Sequence, residues 1–204
     1  MCNRYRLSPR DYAKLEAQGV VLPFPPDESW PVPKNPFEYD VRPTDPAVVL
    51  LAADEGLQPA VMRWGFPMPN HNPGTNARNL TLGVWKRWAA DPATRCLVPV
   101  AAFCEFGSKM PGEKYAPQHW FGVVDQDVFF FAGFWRPNGA EERRFTFATT
   151  GYLGDPDSHV VGKVHPKAMP VILHREDLQR WLTGPFDDLL EMQTAYPSQL
   201  MRVE

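Results

Sequence analysis

Beyond residue 46 the chain is a succession of short apolar runs rather than long amphipathic ones. Ala47–Ala52, Ala60–Trp64, Cys96–Phe103, Trp120–Val124, Val128–Trp135 and Arg144–Thr150 are rich in Val and Phe and bounded by Gly, Pro and Asn, which predicts strands. Helical stretches are fewer. Ser8-Pro9-Arg10-Asp11 reads as a helix start, with Ser8 as N-cap, Pro9 at the first helical position and Asp11 near the positive end. This helix runs through Tyr12, Leu15 and Glu16 and stops at Gly19. Thr81–Ala90 predicts a second, placing Trp85 and Trp88 on one face. A strand over Met169–Leu173 leads into a helix over His174–Leu182 ended by Gly184-Pro185, and Phe186–Met192 adds one more turn. From Pro23 to Pro46 eight prolines break any regular element, so this segment is predicted to wrap a surface in extended form, docked by Trp30, Phe37 and Tyr39. Many short strands, few helices, no repeat and no domain boundary predict a single α+β domain over residues 1–204. Its core is a curled, largely antiparallel, barrel-like sheet with flanking helices.

Composition narrows the setting. The 204 residues suffice for a sizeable core, and the cysteines (Cys2, Cys96 and Cys104) are odd in number, with neither disulfide-scaffold spacing nor a CxxC pair for zinc. With no apolar run able to span a bilayer and no signal-peptide core, a cytoplasmic, reducing home is expected. A net charge of −3 counts against a protein that grips nucleic acid over its whole surface. The distribution says more. Between Gly56 and Cys104 the basic residues Arg63, Arg78, Lys86, Arg87 and Arg95 face one acid, Asp91, and are interleaved with Trp64, Phe66, Trp85 and Trp88. Cations beside aromatic rings suit a single-stranded nucleic-acid groove, and equally a solvated face over a core cluster.

Four polar positions carry candidate chemistry. Cys2 comes first: once Met1 is lost it holds a thiol and a free α-amine on one residue, with ordinary pKa values near ~8.5 and ~7.7–8.0. An aldehyde attacked by the amine gives an imine, which the thiol closes into a five-membered thiazolidine; an internal cysteine has no free amine for this. Asn76, in the turn Gly74-Thr75-Asn76-Ala77-Arg78-Asn79, offers a donor and an acceptor to a hydroxyl or to the N-terminal amine. Glu105 follows the apolar run Cys96–Cys104, where burial would raise its pKa towards proton shuttling at neutral pH. His165 titrates in the range for acid–base work. Each has a plainer reading: a residue after the start codon, a turn Asn, a salt-bridged strand end and a structural His.

Together these positions resemble the SRAP family, the SOS-response-associated peptidases, over nearly the whole length. The resemblance is carried by Met1-Cys2-Asn3-Arg4-Tyr5, Val41-Arg42-Pro43-Thr44, Arg63-Trp64-Gly65-Phe66-Pro67, Thr75-Asn76-Ala77-Arg78, Arg95-Cys96-Leu97-Val98-Pro99, Phe103-Cys104-Glu105-Phe106, Phe131-Ala132-Gly133-Phe134-Trp135, and His165 with Met169-Pro170-Val171-Ile172-Leu173. It implies a DNA-repair protein that binds single-stranded DNA and captures the aldehyde of an abasic site as a thiazolidine. Self-processing peptidase and AP-lyase activities are also implied. On this resemblance Cys2 is the nucleophile, Asn76 positions sugar and N-terminus, and Glu105 and His165 move protons. Arg4 and Arg78 hold phosphates, while Trp64 and Pro43 wedge or stack near the lesion. The family pattern has Gly where this chain has Asn3, and Tyr-Glu-Trp where it has Cys104-Glu105-Phe106. His165-Pro166-Lys167-Ala168-Met169-Pro170 is one residue longer than the usual His-Asp-Arg-Met-Pro, and Lys167 takes the place of the missing arginine. No cofactor or metal is implied; the expected partner is abasic single-stranded DNA, bound by a monomer without a membrane and, when on DNA, at the nucleoid.

Two other classes remain open on the residues alone. An N-terminal-nucleophile amidohydrolase also uses a leading cysteine, but its usual start continues Gly-Ile, and the basic-aromatic stretch would have no work. A non-catalytic single-strand-binding module would leave Cys2 incidental. A papain-like Cys–His protease does not need the cysteine at position two.

Overall fold

The structure is a computed structural model that describes residues 2–17, 39–69, 72–140 and 142–204. Its strands in chain order are β1 Tyr5–Arg6, β2 Asp40–Val41, β3 Pro46–Ala53, β4 Gly56–Trp64, β5 Asn76–Ala77, β6 Arg95–Val100, β7 Ala102–Phe106, β8 Gln118–Val123, β9 Phe129–Asn138, β10 Glu142–Thr150, β11 Met169–Pro170, β12 Ile172–Leu173 and β13 Met201–Val203. The α-helices are α1 Pro9–Ala17, α2 Gly83–Ala90, α3 Leu178–Thr183 and α4 Phe186–Met192.

Five strands close into a barrel. β3 pairs with β4, β4 with β10, β10 with β9, β9 with β6, and β6 returns to β3 through Leu50 and Leu97. Within that ring only β4–β10 is parallel, so the expected curled, largely antiparallel α+β core is what forms. Two barrel strands are covered on both faces, β6 at every position and β9 from Phe129 to Phe134, whereas β4 is buried only at Met62 and Trp64. That double burial explains why these strands read as continuous apolar runs. Rings fill the core: Phe131 and Phe147 lie 4.8 Å apart, and Trp64 and Phe147 5.2 Å. Gly133 is required where β9 crosses β6, since an added Cβ would lie 2.6 Å from Cys96 Sγ. The Trp181 indole of α3 donates to the carbonyls of both residues at 3.2 Å.

A second sheet, in the order β13-β8-β7-β1-β2, lies against the barrel through Phe103, whose ring is 5.7 Å from that of Phe131. The chain passes from β6 to β7 at Ala101 alone, whose N–H donates to the Arg6 carbonyl at 2.8 Å. The predicted single strand Cys96–Phe103 is therefore two strands in different sheets. Both are buried, and no Gly or turn residue marks the corner. The predicted strand Met169–Leu173 also divides. Val171 donates to Ala148 of β10 and accepts from Ala132 of β9, so the halves on either side of it pair with different neighbours.

α1 begins as its sequence implies: Ser8 Oγ accepts from the Asp11 amide at 3.2 Å, and Asp11 Oδ2 accepts from the Ser8 amide at 3.0 Å. Its stop at Gly19, and the proline segment from Pro23 through Phe37, lie outside the described residues. α2 starts later than predicted, behind Gly83 at φ +48. The helix expected from His174 opens instead as a 3-10 turn over Arg175–Asp177 before α3. α4 matches its expected span.

Candidate active site

The second sheet brings the N-terminal residues beside Glu105. Tyr5 of β1 sits opposite Phe103 of β7, and the Arg4 carbonyl accepts the Cys104 amide at 2.9 Å. Continuing that antiparallel register runs Cys2 and Asn3 alongside Glu105 and Phe106. Cys2 is fully buried, its Sγ 3.5 Å from the Arg4 carbonyl. Asn76 reaches it from the barrel. β5 pairs in parallel with β10, Asn76 opposite Phe147, and its Nδ2 donates to the Cys2 carbonyl at 3.0 Å and to Thr75 Oγ1 at 2.7 Å. A carbonyl only accepts, so this contact fixes which end of the amide faces Cys2. Asn76 Oδ1 is buried and has no hydrogen-bond partner among the described residues. It is an acceptor in place for an amine or hydroxyl.

Glu105 is 1 % exposed, and burial pushes its carboxyl up to about 7. Burial, then the Glu105 charge, raises the Cys2 thiol well above its ordinary value. The thiol is therefore held as S–H at neutral pH. Glu105 by contrast is balanced between its two protonation states.

His165 lies on the loop before β11. Its Nδ1 is 2.9 Å from the Ala168 carbonyl, so Nδ1 carries the proton and the lone pair is on Nε2. Burial lowers its pKa, keeping the ring neutral at pH 7. Ala168 belongs to the stretch that is longer than the family pattern, and this bond turns that stretch back on the histidine. Tyr152, just past β10, was not singled out from sequence; one aromatic after Thr149-Thr150-Gly151 carries no motif. Its hydroxyl donates to the His165 carbonyl at 3.1 Å, and its acidity is suppressed by burial and then by the Glu105 charge. Tyr152 thus ties the backbone of His165 to the end of β10 and lies within the field of the Glu105 carboxyl.

The proposed DNA-contact positions divide. Arg78 and Lys167 are exposed and Pro43 is half-buried. The Arg78 carbonyl is clamped by Gln193 Nε2 at 2.6 Å, which also takes the Thr149 carbonyl at 2.9 Å. Arg4 is 9 % exposed; its guanidinium is bound to Asp40 and Gln118 and lies 5.1 Å from the Trp120 ring centre. It braces the start of the chain against β2 and β8 rather than facing solvent. Trp64 is fully buried between Tyr5 and Phe147, and its Nε1 donates to the Thr75 carbonyl at 3.1 Å. Its indole offers no face to a base and instead props the turn that carries Asn76. Arg95, counted with the basic stretch, is also internal: it donates to the carbonyls of Ala89, Trp181 and Gly184. Among the described residues no His, Cys, Asp and Glu cluster could hold a metal, and no helix is long and apolar enough to cross a membrane.

A closed five-stranded barrel with a flanking sheet that carries Cys2 alongside the buried Glu105 is the α+β setting of this candidate site. The chain belongs to the SRAP family, SOS response associated peptidases, whose model matches residues 1–204. Membership associates it with the response to DNA damage and with DNA binding, and is consistent with an enzyme. No curated protein matches the chain. Solved structures share its fold. One from Bacteroides thetaiotaomicron superposes with TM-score 0.72 at 15 % identity, covering 99 % of this chain and 90 % of that one. A protein from Bordetella bronchiseptica gives 0.72 at 21 %, covering 99 % and 98 %. A phage-related protein from the same organism gives 0.69 at 20 %, covering 100 % and 92 %.

Proposed function

We propose that the protein senses abasic sites in single-stranded DNA and captures them covalently through Cys2 after Met1 is removed. The observation that carries this reading is the Asn76 amide bound to the Cys2 carbonyl, on a chain that runs beside a carboxyl poised near neutrality. Loss of Met1 puts an α-amine on Cys2. That amine attacks the aldehyde carbon of the ring-opened sugar to give a carbinolamine. Protonated Glu105 supplies the proton with which the hydroxyl leaves as water, forming the imine. The thiol then adds to the imine carbon, its proton passing to the nitrogen, with the Glu105 carboxylate as the nearby acceptor. Aldehyde and aminothiol become thiazolidine and water. His165, with its lone pair on Nε2, handles the proton of sugar ring opening and of reversal, while Asn76 Oδ1 accepts from the amine or a sugar hydroxyl. Arg78, Lys167 and Pro43 contact the strand.

The peptidase and AP-lyase activities fit the same groups: removal of the leading residue beside Glu105, and β-elimination from the imine. On this reading the protein acts as a cytoplasmic monomer that joins the nucleoid when on DNA. Intact mass after incubation with abasic single-stranded DNA tests it. The expected species is Met1-less protein plus DNA less one water, absent for Cys2→Ala. An undiminished adduct in that variant places the nucleophile elsewhere.

A further inference from the structure

Three arginines stand side by side across the barrel wall. Arg144 of β10 is the cross-strand partner of Arg136 on β9 and of Arg63 on β4. Adjacent strands are about 4.8 Å apart, so the row spans about 10 Å. Like charges directly opposite one another destabilise a sheet, and a fold that keeps three in register needs a compensating gain. Among the described residues Arg63 and Arg144 share one carboxylate, Glu142. It accepts from Arg63 Nε at 2.8 Å and Arg144 Nε at 2.7 Å, is also bound by Asn138, and is held down to about 2 chiefly by the Arg144 bond. Arg136 is left out of that arrangement. Its guanidinium lies over Phe66 at 4.9 Å and Trp88 at 4.7 Å, and its Nε is buried with no hydrogen-bond acceptor among the described residues. Burial and then the Arg144 charge lower its pKa, the mark of two cations in each other's field.

The row is bordered by aromatic surface, on a helix that also carries positive charge. Trp85 and Trp88 of α2 are half-buried, edge to face at 5.7 Å, and Lys86 and Arg87 between them are exposed. The row also adjoins the proposed lesion contacts, since Arg63 donates to the Thr44 carbonyl next to Pro43.

We propose that the Arg63–Arg144–Arg136 row, with the Trp85–Trp88 shelf, is a second contact for single-stranded DNA, holding the strand as it continues past the Pro43–Thr44 turn. This rests on reading the protein as a single-strand binder, but not on the Cys2 chemistry. Phosphates supply the anion that Arg136 lacks, and unstacked bases use the ring surfaces. An acidic peptide or a duplex would use only the charge.

The test uses a fluorescent oligonucleotide carrying a tetrahydrofuran abasic analogue, which has no aldehyde and cannot crosslink. Binding is followed by anisotropy from low to moderate salt. Arg136→Gln, which keeps most of the stem over Phe66, is expected to weaken binding several-fold and to flatten the salt slope by about 0.7, one single-strand phosphate. Arg136→Lys should keep the wild-type slope. Glu142→Gln, which strips the row of its carboxylate, should tighten binding. Unchanged affinity and slope in both Arg136→Gln and Glu142→Gln overturn the proposal. Equal loss of affinity for blunt duplex, or displacement of the probe by poly-glutamate at equal charge concentration, also overturns it, because the row would then be a general anion site. Because the probe cannot react, failure of the crosslinking reading leaves these results unaffected.

Discussion

Glu105→Gln separates the account from a structural explanation of the same carboxyl. Moving a carboxyl from its ordinary 4.5 to about 7 corresponds to ~3 kcal/mol, at ~1.36 kcal/mol for each pH unit. The folded state holds the Glu105 proton up to about pH 7, whereas the unfolded chain releases it near 4.5. Between those values the native state binds more protons, so wild-type stability falls as pH rises through the window. Glutamine is neutral throughout and close in shape. The stability of Glu105→Gln minus that of wild type should therefore grow by up to ~3 kcal/mol from pH 4.5 to 8, read by urea unfolding at a series of pH values. Other groups titrate alike in both proteins and cancel in the difference. The same variant should form adduct more slowly and lose any inflection near pH 7 in the rate of capture. A difference that stays flat with pH would show that Glu105 ionises as an ordinary exposed carboxyl, and its proposed role in proton transfer would fall with it.

Native protein should react slowly with a disulfide reagent at pH 7, because burial raises the thiols of Cys2, Cys96 and Cys104, the last to about 11; denatured protein should release all three at once. Asn76→Ala leaves the Cys2 carbonyl without its donor and should cost about 1–3 kcal/mol in urea melts. Asn76→Asp places a carboxylate against that carbonyl and should slow adduct formation further. His165→Ala should slow sugar ring opening and crosslink reversal while leaving binding to the tetrahydrofuran probe near wild type. Gly133→Ala should lose about 1–3 kcal/mol or more of stability with no change in DNA affinity of the folded fraction, since its Cβ would strike Cys96 and Val98.

Much of this was legible in the sequence where local pattern and burial agree. The long strands were found because Val and Phe runs survive when both faces are covered, and α1 because Ser8, Pro9 and Asp11 mark its start. The same double burial hid the corner at Ala101 and the exchange of partners at Val171, where nothing local changes and only hydrogen-bond direction does. β1, β2 and β5 are two residues each, too short for any period, yet β1 and β5 place Cys2 and Asn76. Burial decided the fate of Trp64, Arg4 and Arg95. Charge and ring type promise a nucleic-acid face, but whether a side chain points outward depends on pairing across the barrel. Tyr152 was missed for the complementary reason: its role comes from a contact with His165, thirteen residues on and across a turn. The arginine row is invisible along the chain, because Arg63, Arg136 and Arg144 meet only through strand register.

The most direct test of the central claim is whether capture needs the amine and the thiol on the same residue. Protein whose mass shows Met1 gone is compared with a variant carrying an uncleavable extension ahead of Cys2, both incubated with aldehyde-bearing abasic single-stranded DNA and run on a denaturing gel. The extended protein keeps its thiol, Glu105, His165 and basic surface, so it should bind the DNA yet leave no heat-stable band, while the processed protein shifts. Equal crosslinking by both would mean that a thiol-only reaction suffices and that the free α-amine of Cys2 is not the group that captures the lesion.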